Sequence, residues 1–246
     1  SVSTKEKAQQ SGRARLNVTP ITTVLTEIVK ANKIEGTDID STILATSVSQ
    51  IETVFGITAA EIEEDFIQEG NKNISKIVTQ LEITTNTLST VIDDDAVTKN
   101  SILSSIAQTI IDTNNTSPTA TLDLSDALDI SSIITKVTNI SNITINETIV
   151  AKSTTFISSV NENIATIVQN TESSFEDVIT ESTQTQVAII NVITSENVDF
   201  ADSTLDITLT TQDVTTEAKT VVIETIFSPI VAPIVAPTTP SVRNSW

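Results

Sequence analysis

Apolar residues recur every three to four positions along most of the chain, the spacing of one buried helical stripe. The first stripe is Ile21, Val24, Leu25, Ile28 and Val29. Thr19 stands before it as an N-cap, with Pro20 in the first helical position, where a missing N–H costs nothing. Gly36 ends this stretch. A second helix is expected over about 40–55, with Ile43, Leu44, Val48, Ile51, Val54 and Phe55 on one face and Gly56 closing it. Thr58 and Glu61 have capping-box spacing for a short third helix carrying Ile62, Phe66 and Ile67, stopped by Gly70. Ile74, Ile77, Val78, Leu81, Leu88, Val91 and Ile92 predict a helix over about 73–92. After Asp93-Asp94-Asp95, Val97, Ile102, Leu103, Ile106 and Ile110 predict another over about 96–112.

Thr113–Thr121 contains Asn114, Asn115, Ser117 and Pro118 and reads as a loop and subdomain boundary. Beyond it, Leu124, Leu128, Ile134 and Val137 fit a helix over about 123–138, while Leu122, Leu124 and Ile130 also fit a strand. The longest stripe runs over 144–171, through Ile145, Ile149, Phe156, Ile157, Val160, Ile164, Ile167 and Val168. A partner follows at about 173–194, with Phe175, Val178, Ile179, Ile189, Ile190 and Ile193. Leu205, Ile207 and Leu209 alternate, the period of a short strand. Val214, Ala218, Val221, Val222 and Ile226 predict a last helix over about 211–227.

The expected fold is therefore mostly α, an antiparallel bundle of about seven to nine helices. Many stripe residues are Ile, Val or Thr, whose β-branching disfavours helix by a few tenths of a kcal/mol each, roughly. Burial of an amphipathic face outweighs that preference. The opposite outcome is a β-rich fibre protein.

The two ends break the pattern. Residues 1–16 are polar, without apolar period, and carry Lys5, Lys7, Arg13 and Arg15. They read as an extended basic arm, and the rest of the chain is more acidic than its net charge of −19. Residues 228–246 repeat proline every fourth position in Pro229-Ile230-Val231-Ala232-Pro233-Ile234-Val235-Ala236-Pro237. That spacing forbids helix and central strand and favours extended backbone. Ile230, Val231, Ile234, Val235 and the single tryptophan, Trp246, make this tail apolar enough to want a groove. The expected organisation is an arm (1–16), a first helical region (17–113), a second (122–227) and the Pro-rich tail (228–246).

Composition removes much chemistry. The chain lacks His, Cys, Met and Tyr. No Ser-His-Asp triad, imidazole base, thiolate, zinc finger, iron–sulfur cluster or disulfide can be built. The glycines Gly12, Gly36, Gly56 and Gly70 are isolated, so no phosphate-cradling fingerprint exists. A strongly acidic chain repels nucleic acid and anionic lipid. No run of about 20 apolar residues predicts a membrane span. Ser1, with neither Met nor an apolar leader, points to a processed form or excised segment. The Thr-, Ser- and Asn-rich acidic surface favours an extracellular setting.

Three carboxylate groups have calcium-compatible chemistry: Asp93, Asp94 and Asp95; Asp123, Asp126 and Asp129; Asp199, Asp202 and Asp206. None follows a calcium-loop spacing, so they read as charge at helix N-termini and solvated faces. Glu61, Glu63, Glu64 and Asp65 supply paired carboxylates of the kind that cleave glycosides, without the aromatic platforms of sugar clefts. Asn17, Asn73, Asn114, Asn115, Asn139, Asn142 and Asn146 begin Asn-x-Ser/Thr sequons, and the last three make 139–146 a glycosylation candidate.

Residues 17–92 resemble a helical region of very large secreted bacterial surface and adhesin-like proteins. Val18-Thr19-Pro20-Ile21-Thr22-Thr23-Val24 is similar to that family's V-T-P-L-T-T-L. Phe55-Gly56-Ile57 stands at its apolar-Gly-Leu turn. Asp65-Phe66-Ile67 matches its D-P-I, with Phe66 in the proline's place. Ile77-Val78-Thr79-Gln80-Leu81 and Thr85-Asn86-Thr87-Leu88 resemble its following Q-V-x-N helix. The resemblance implies an extracellular surface role and carries over no functional residues.

The function expected is non-enzymatic: an extracellular filament or surface-layer subunit, using no cofactor or metal. Lys5, Lys7, Arg13, Arg15, Ile230, Val231, Ile234, Val235 and Trp246 would contact other copies, with cell-surface attachment as a further expectation. The alternatives are a monomeric spacer or adhesion module of a larger surface protein, and a carboxylate-only hydrolase.

Overall fold

The computed structural model describes residues 19–63, 65–92, 94–195 and 198–221. Among them are ten helices and no strand: α1 Pro20–Asn32, α2 Ser41–Phe55, α3 Ala59–Glu63, α4 Phe66–Glu69, α5 Lys72–Val91, α6 Lys99–Thr116, α7 Ala127–Ser141, α8 Glu147–Gln169, α9 Phe175–Ile193 and α10 Ile207–Thr220. The basic arm and the Pro-rich tail lie outside the described residues.

Local chemistry explains most boundaries. Thr19 and Thr22 exchange side-chain bonds with each other's N–H groups and open α1. Asp40 accepts from the Thr42 and Ile43 N–H groups, both at 2.9 Å, to open α2. Gly56 closes α2 at φ 63°, a left-handed position that a side chain would strain. Thr58 and Glu61 form the expected capping box.

Four expectations change. The single short helix expected after Gly56 divides into α3 and α4, because Asp65 caps a new start at Phe66; the described residues therefore hold ten helices where about seven to nine are expected. Helix α6 begins at Lys99, not 96: Asp94 accepts from the Ala96 N–H in a turn, and the cap is Thr98 paired with Ser101. Leu122 and Leu124 belong neither to a strand nor to α7. They are buried in the preceding loop, where the Leu122 N–H donates to the Val54 carbonyl at 3.1 Å. The alternating residues 205–209 are no strand either. Asp206 accepts from the Thr208 N–H at 2.9 Å and starts α10.

One apolar cluster runs from Ile21 on α1 to Val214 on α10, drawing on both expected helical regions. Helix α5 is its centre, packed by α1, α6, α8 and α9. Helix α1 packs on α2, α5 and α6, whereas α10 packs on α8 and α9. Gln184 on α9 donates to the Val221 carbonyl, and Asn191 donates to Glu217 on α10, so these two helices run antiparallel.

Many of the helical threonines bond internally, although the buried hydroxyls of Thr85, Thr87 and Thr154 have no partner. Thr84, Thr109 and Thr185, all buried, donate to the carbonyl four residues back at 2.8–2.9 Å, as do many exposed threonines. The hydroxyl is satisfied inside its own helix, and the methyl group packs as valine's would.

Candidate functional site

Two features rise above helix packing: a buried amide cluster and an open acidic groove. The cluster joins α5, α8 and the loop before α7. Asn161 is fully buried on α8 and lies in the stripe between Ile157 and Ile164. Its Nδ2 donates to the Leu124 carbonyl at 2.7 Å and to Thr84 Oγ1 at 3.2 Å. Gln80 Nε2 donates to the Asn161 carbonyl and to Ser125 Oγ, both at 3.0 Å. These bonds pin a loop that has no regular ladder of its own. Asn161 Oδ1 has no hydrogen-bond partner.

The groove, about 500 Å³, lies between the C-terminal part of α9 with Ser195, residues 198–206 and α10. Val192, Val198 and Leu205 give it an apolar lining. Asp206, Asp213 and Glu217 give it negative charge, with Asn191, Ser195 and Thr210 completing the wall. Asp213 and Glu217 are four residues apart and share one face of α10. Like charges at that spacing destabilise a helix by a few tenths of a kcal/mol, roughly. Glu217 Oε1 accepts from Asn191 Nδ2 at 3.3 Å, which holds it against the α9 side. The ammonium of Lys152, on α8, is committed to the Asp202 and Leu205 carbonyls.

Of the carboxylates singled out in the sequence, Glu64 and Asp93 lie outside the described residues, and most of the others serve the backbone. Asp123 accepts from the Ser125 N–H, Asp126 from Leu128 and Asp129 from Asp123, at 2.7–2.8 Å. Asp199 and Asp202 accept from the Ala201 and Thr204 N–H groups, both at 2.8 Å. Among the described residues, no three such groups come together as metal ligands. Glu61 accepts from Asn71 at 2.9 Å and from Thr58, and is a cap. Of the sequon asparagines, Asn73, Asn115, Asn139, Asn142 and Asn146 are exposed. Asn142 closes α7 in the left-handed region at φ 52°. The nine residues expected to contact other copies all lie outside the described residues.

Charge environments give the fold a pH signature. Burial raises the carboxyl pKa of Glu82 on α5 above its ordinary 4.5, against a Gln186 hydrogen bond and the charge of Lys99. Burial likewise raises that of Asp129 above 3.8, helped by the Asp126 and Asp123 charges and opposed by the Asp123 N–H. The hydrogen bond from Lys136 lowers Asp112, and that from Asn71 lowers Glu61. Glu82 and Asp129 bind protons more readily folded than unfolded, so they add stability as pH falls through the window above their ordinary values. Asp112 and Glu61 keep their stabilisation above their ordinary values and lose it as pH falls through the lowered folded values. Acidification also relieves repulsion from the net charge of −19. The melting temperature should rise between pH 7 and about pH 5, then fall below about pH 4. Glu82→Gln should flatten the rise. Calorimetry giving a steady fall from neutral pH would contradict this.

No protein-family model matches the chain, and neither a curated protein nor a solved structure matches it.

Proposed function

We propose that the chain is a non-enzymatic extracellular structural protein, a filament or surface-layer subunit that joins copies of itself through its two ends. The observation that carries this reading is the difference between the two ends, a basic arm before α1 and a Pro-rich apolar tail after α10. An end that binds a different surface of the next copy makes a head-to-tail contact, and head-to-tail contacts that do not close produce open polymers.

The chemistry of the ends supports the same reading. The tail carries Ile230, Val231, Ile234, Val235 and Trp246 on a stretch that proline keeps from forming helix. Its apolar side chains gain from a groove on a neighbouring copy. The arm brings Lys5, Lys7, Arg13 and Arg15 to a molecule that is otherwise acidic. The likeness of residues 17–92 to secreted bacterial surface proteins supports an extracellular place and is compatible with attachment at a cell surface.

Removing residues 228–246 should leave folded monomers with unchanged helical circular dichroism. Analytical ultracentrifugation and negative-stain microscopy at neutral pH measure the outcome. Equal polymerisation by the shortened and full chains rejects the tail's role. A full chain that stays monomeric at high concentration favours the spacer or adhesion-module reading instead.

A further inference from the structure

We infer that the groove between α9 and α10 is the receptor for the basic arm of a second copy, with Arg13 and Arg15 against Asp213 and Glu217. This rests on the assembly reading above and gives it a specific interface. The groove combines an apolar lining, from Val192, Val198 and Leu205, with carboxylates on the α10 wall. The arm offers the complementary pattern in Arg13-Ala14-Arg15-Leu16, two guanidinium groups beside an apolar side chain. Arginine suits this place because its planar fork meets a carboxylate through two parallel hydrogen bonds. Asp213 is exposed and four residues from Glu217, so the two carboxylates repel and a cation between them relieves the strain on α10.

Under the assembly reading the arm belongs to a second copy. Helix α1, which the arm precedes, packs on α2, α5 and α6, whereas the groove is built on α9 and α10, so arm and groove belong to different parts of the fold. A neighbour's arm can therefore enter the groove while each copy's own arm stays available to the next.

The test measures binding apart from polymerisation. A fluorescent peptide of residues 1–18 is titrated with the full chain at low ionic strength and followed by anisotropy. Saturable binding is expected, weakening as salt rises. Asp213→Asn with Glu217→Gln should weaken it roughly tenfold, and Asp213→Lys with Glu217→Lys should remove it. A peptide carrying Arg13→Glu and Arg15→Glu should fail on the native chain and bind the doubly lysine-substituted one. That recovery also shows that the substituted chain is folded. Charge reversal at the exposed Glu35 and Asp38, on the α1–α2 connection, should change binding less than twofold.

No saturable binding, or equal binding to the native and Asn/Gln chains, overturns the assignment. Peptide binding of the expected pattern by a chain that stays monomeric in the ultracentrifuge keeps the groove and rejects the polymer. Polymers that persist in the Asp213→Lys, Glu217→Lys chain, with peptide binding unchanged, do the reverse.

Discussion

Phe156→Ala should cost about 3–5 kcal/mol, a large share of the roughly 5–15 kcal/mol that holds a folded domain together. Phe156 is fully buried on α8. Its ring meets Phe200 edge to face, with centroids 5.6 Å apart and planes at 89°. Removal leaves a cavity among aliphatic side chains already fixed in helices, so collapse around it is incomplete. It also strips Phe200 of the ring it packs on, and Val198, Leu205 and Asp206 around Phe200 form one wall of the acidic groove. Two effects should therefore appear together. The urea midpoint falls with little change in slope, and amide exchange in residues 198–206 speeds up more than in α1 or α2. Phe156→Leu keeps most of the volume and should cost under half as much. Equal midpoints for native and Phe156→Ala chains would contradict the packing described.

The helices were legible where a stripe and a cap coincided. Thr19-Pro20 before Ile21, Gly56 after Phe55, and the Thr58–Glu61 pair each put a chemical stop or start beside a change in period. Legibility failed where tertiary contacts or a competing cap decided. Leu205, Ile207 and Leu209 have strand period over a window too short to distinguish a strand from a chain entering a helix, and the Asp206 cap settles it. Leu122 and Leu124 looked like members of a regular element because they are apolar. Their burial comes from a loop laid over the bundle and tied to the Val54 carbonyl, a contact 68 residues away in sequence. Thr98 displaced Asp95 as the start of α6 because its hydroxyl pairs reciprocally with Ser101, a pairing that the aspartate run obscured.

The groove was invisible in the sequence because its walls come from α9, α10 and the turn between them. Only packing makes Asn191 a neighbour of Glu217. One local signal existed. Asp213 and Glu217 form a like-charge pair at helical spacing, which works against α10 and so points to a balancing cation. The amide cluster left a similar trace. Asn161 follows Ile157 by four residues and precedes Ile164 by three, so a polar residue occupies a core position. Gln80, beside Leu81 on the most buried helix, does the same.

Asn161→Asp should destabilise the fold by about 3–5 kcal/mol at pH 7, and the loss should shrink in acid. The substitution puts an oxygen where Nδ2 now donates to the Leu124 carbonyl at 2.7 Å. Two acceptors then face each other without a proton. Ionisation there would leave a carboxylate with no countercharge in a fully buried position. The new side chain therefore holds its proton in the folded state, and its pKa rises above that of the unfolded chain. Folding then takes up a proton at neutral pH, so stability increases as pH drops toward the unfolded value. Once protonated, the acid can donate to Leu124 and restore part of the native geometry. Asn161→Leu separates charge from hydrogen bonding. It orphans the Leu124 carbonyl at a cost of about 1–3 kcal/mol but adds no titrating group, so its loss relative to the native chain should not vary with pH. Gln80 keeps its bond to the Asn161 main-chain carbonyl in both variants, so the α5–α8 contact persists while the loop loosens. Urea melts at pH 7 and pH 5 distinguish the two. Equal losses for Asp and Leu, with parallel pH dependence, would mean that water reaches residue 161 and that the cluster does not pin the loop.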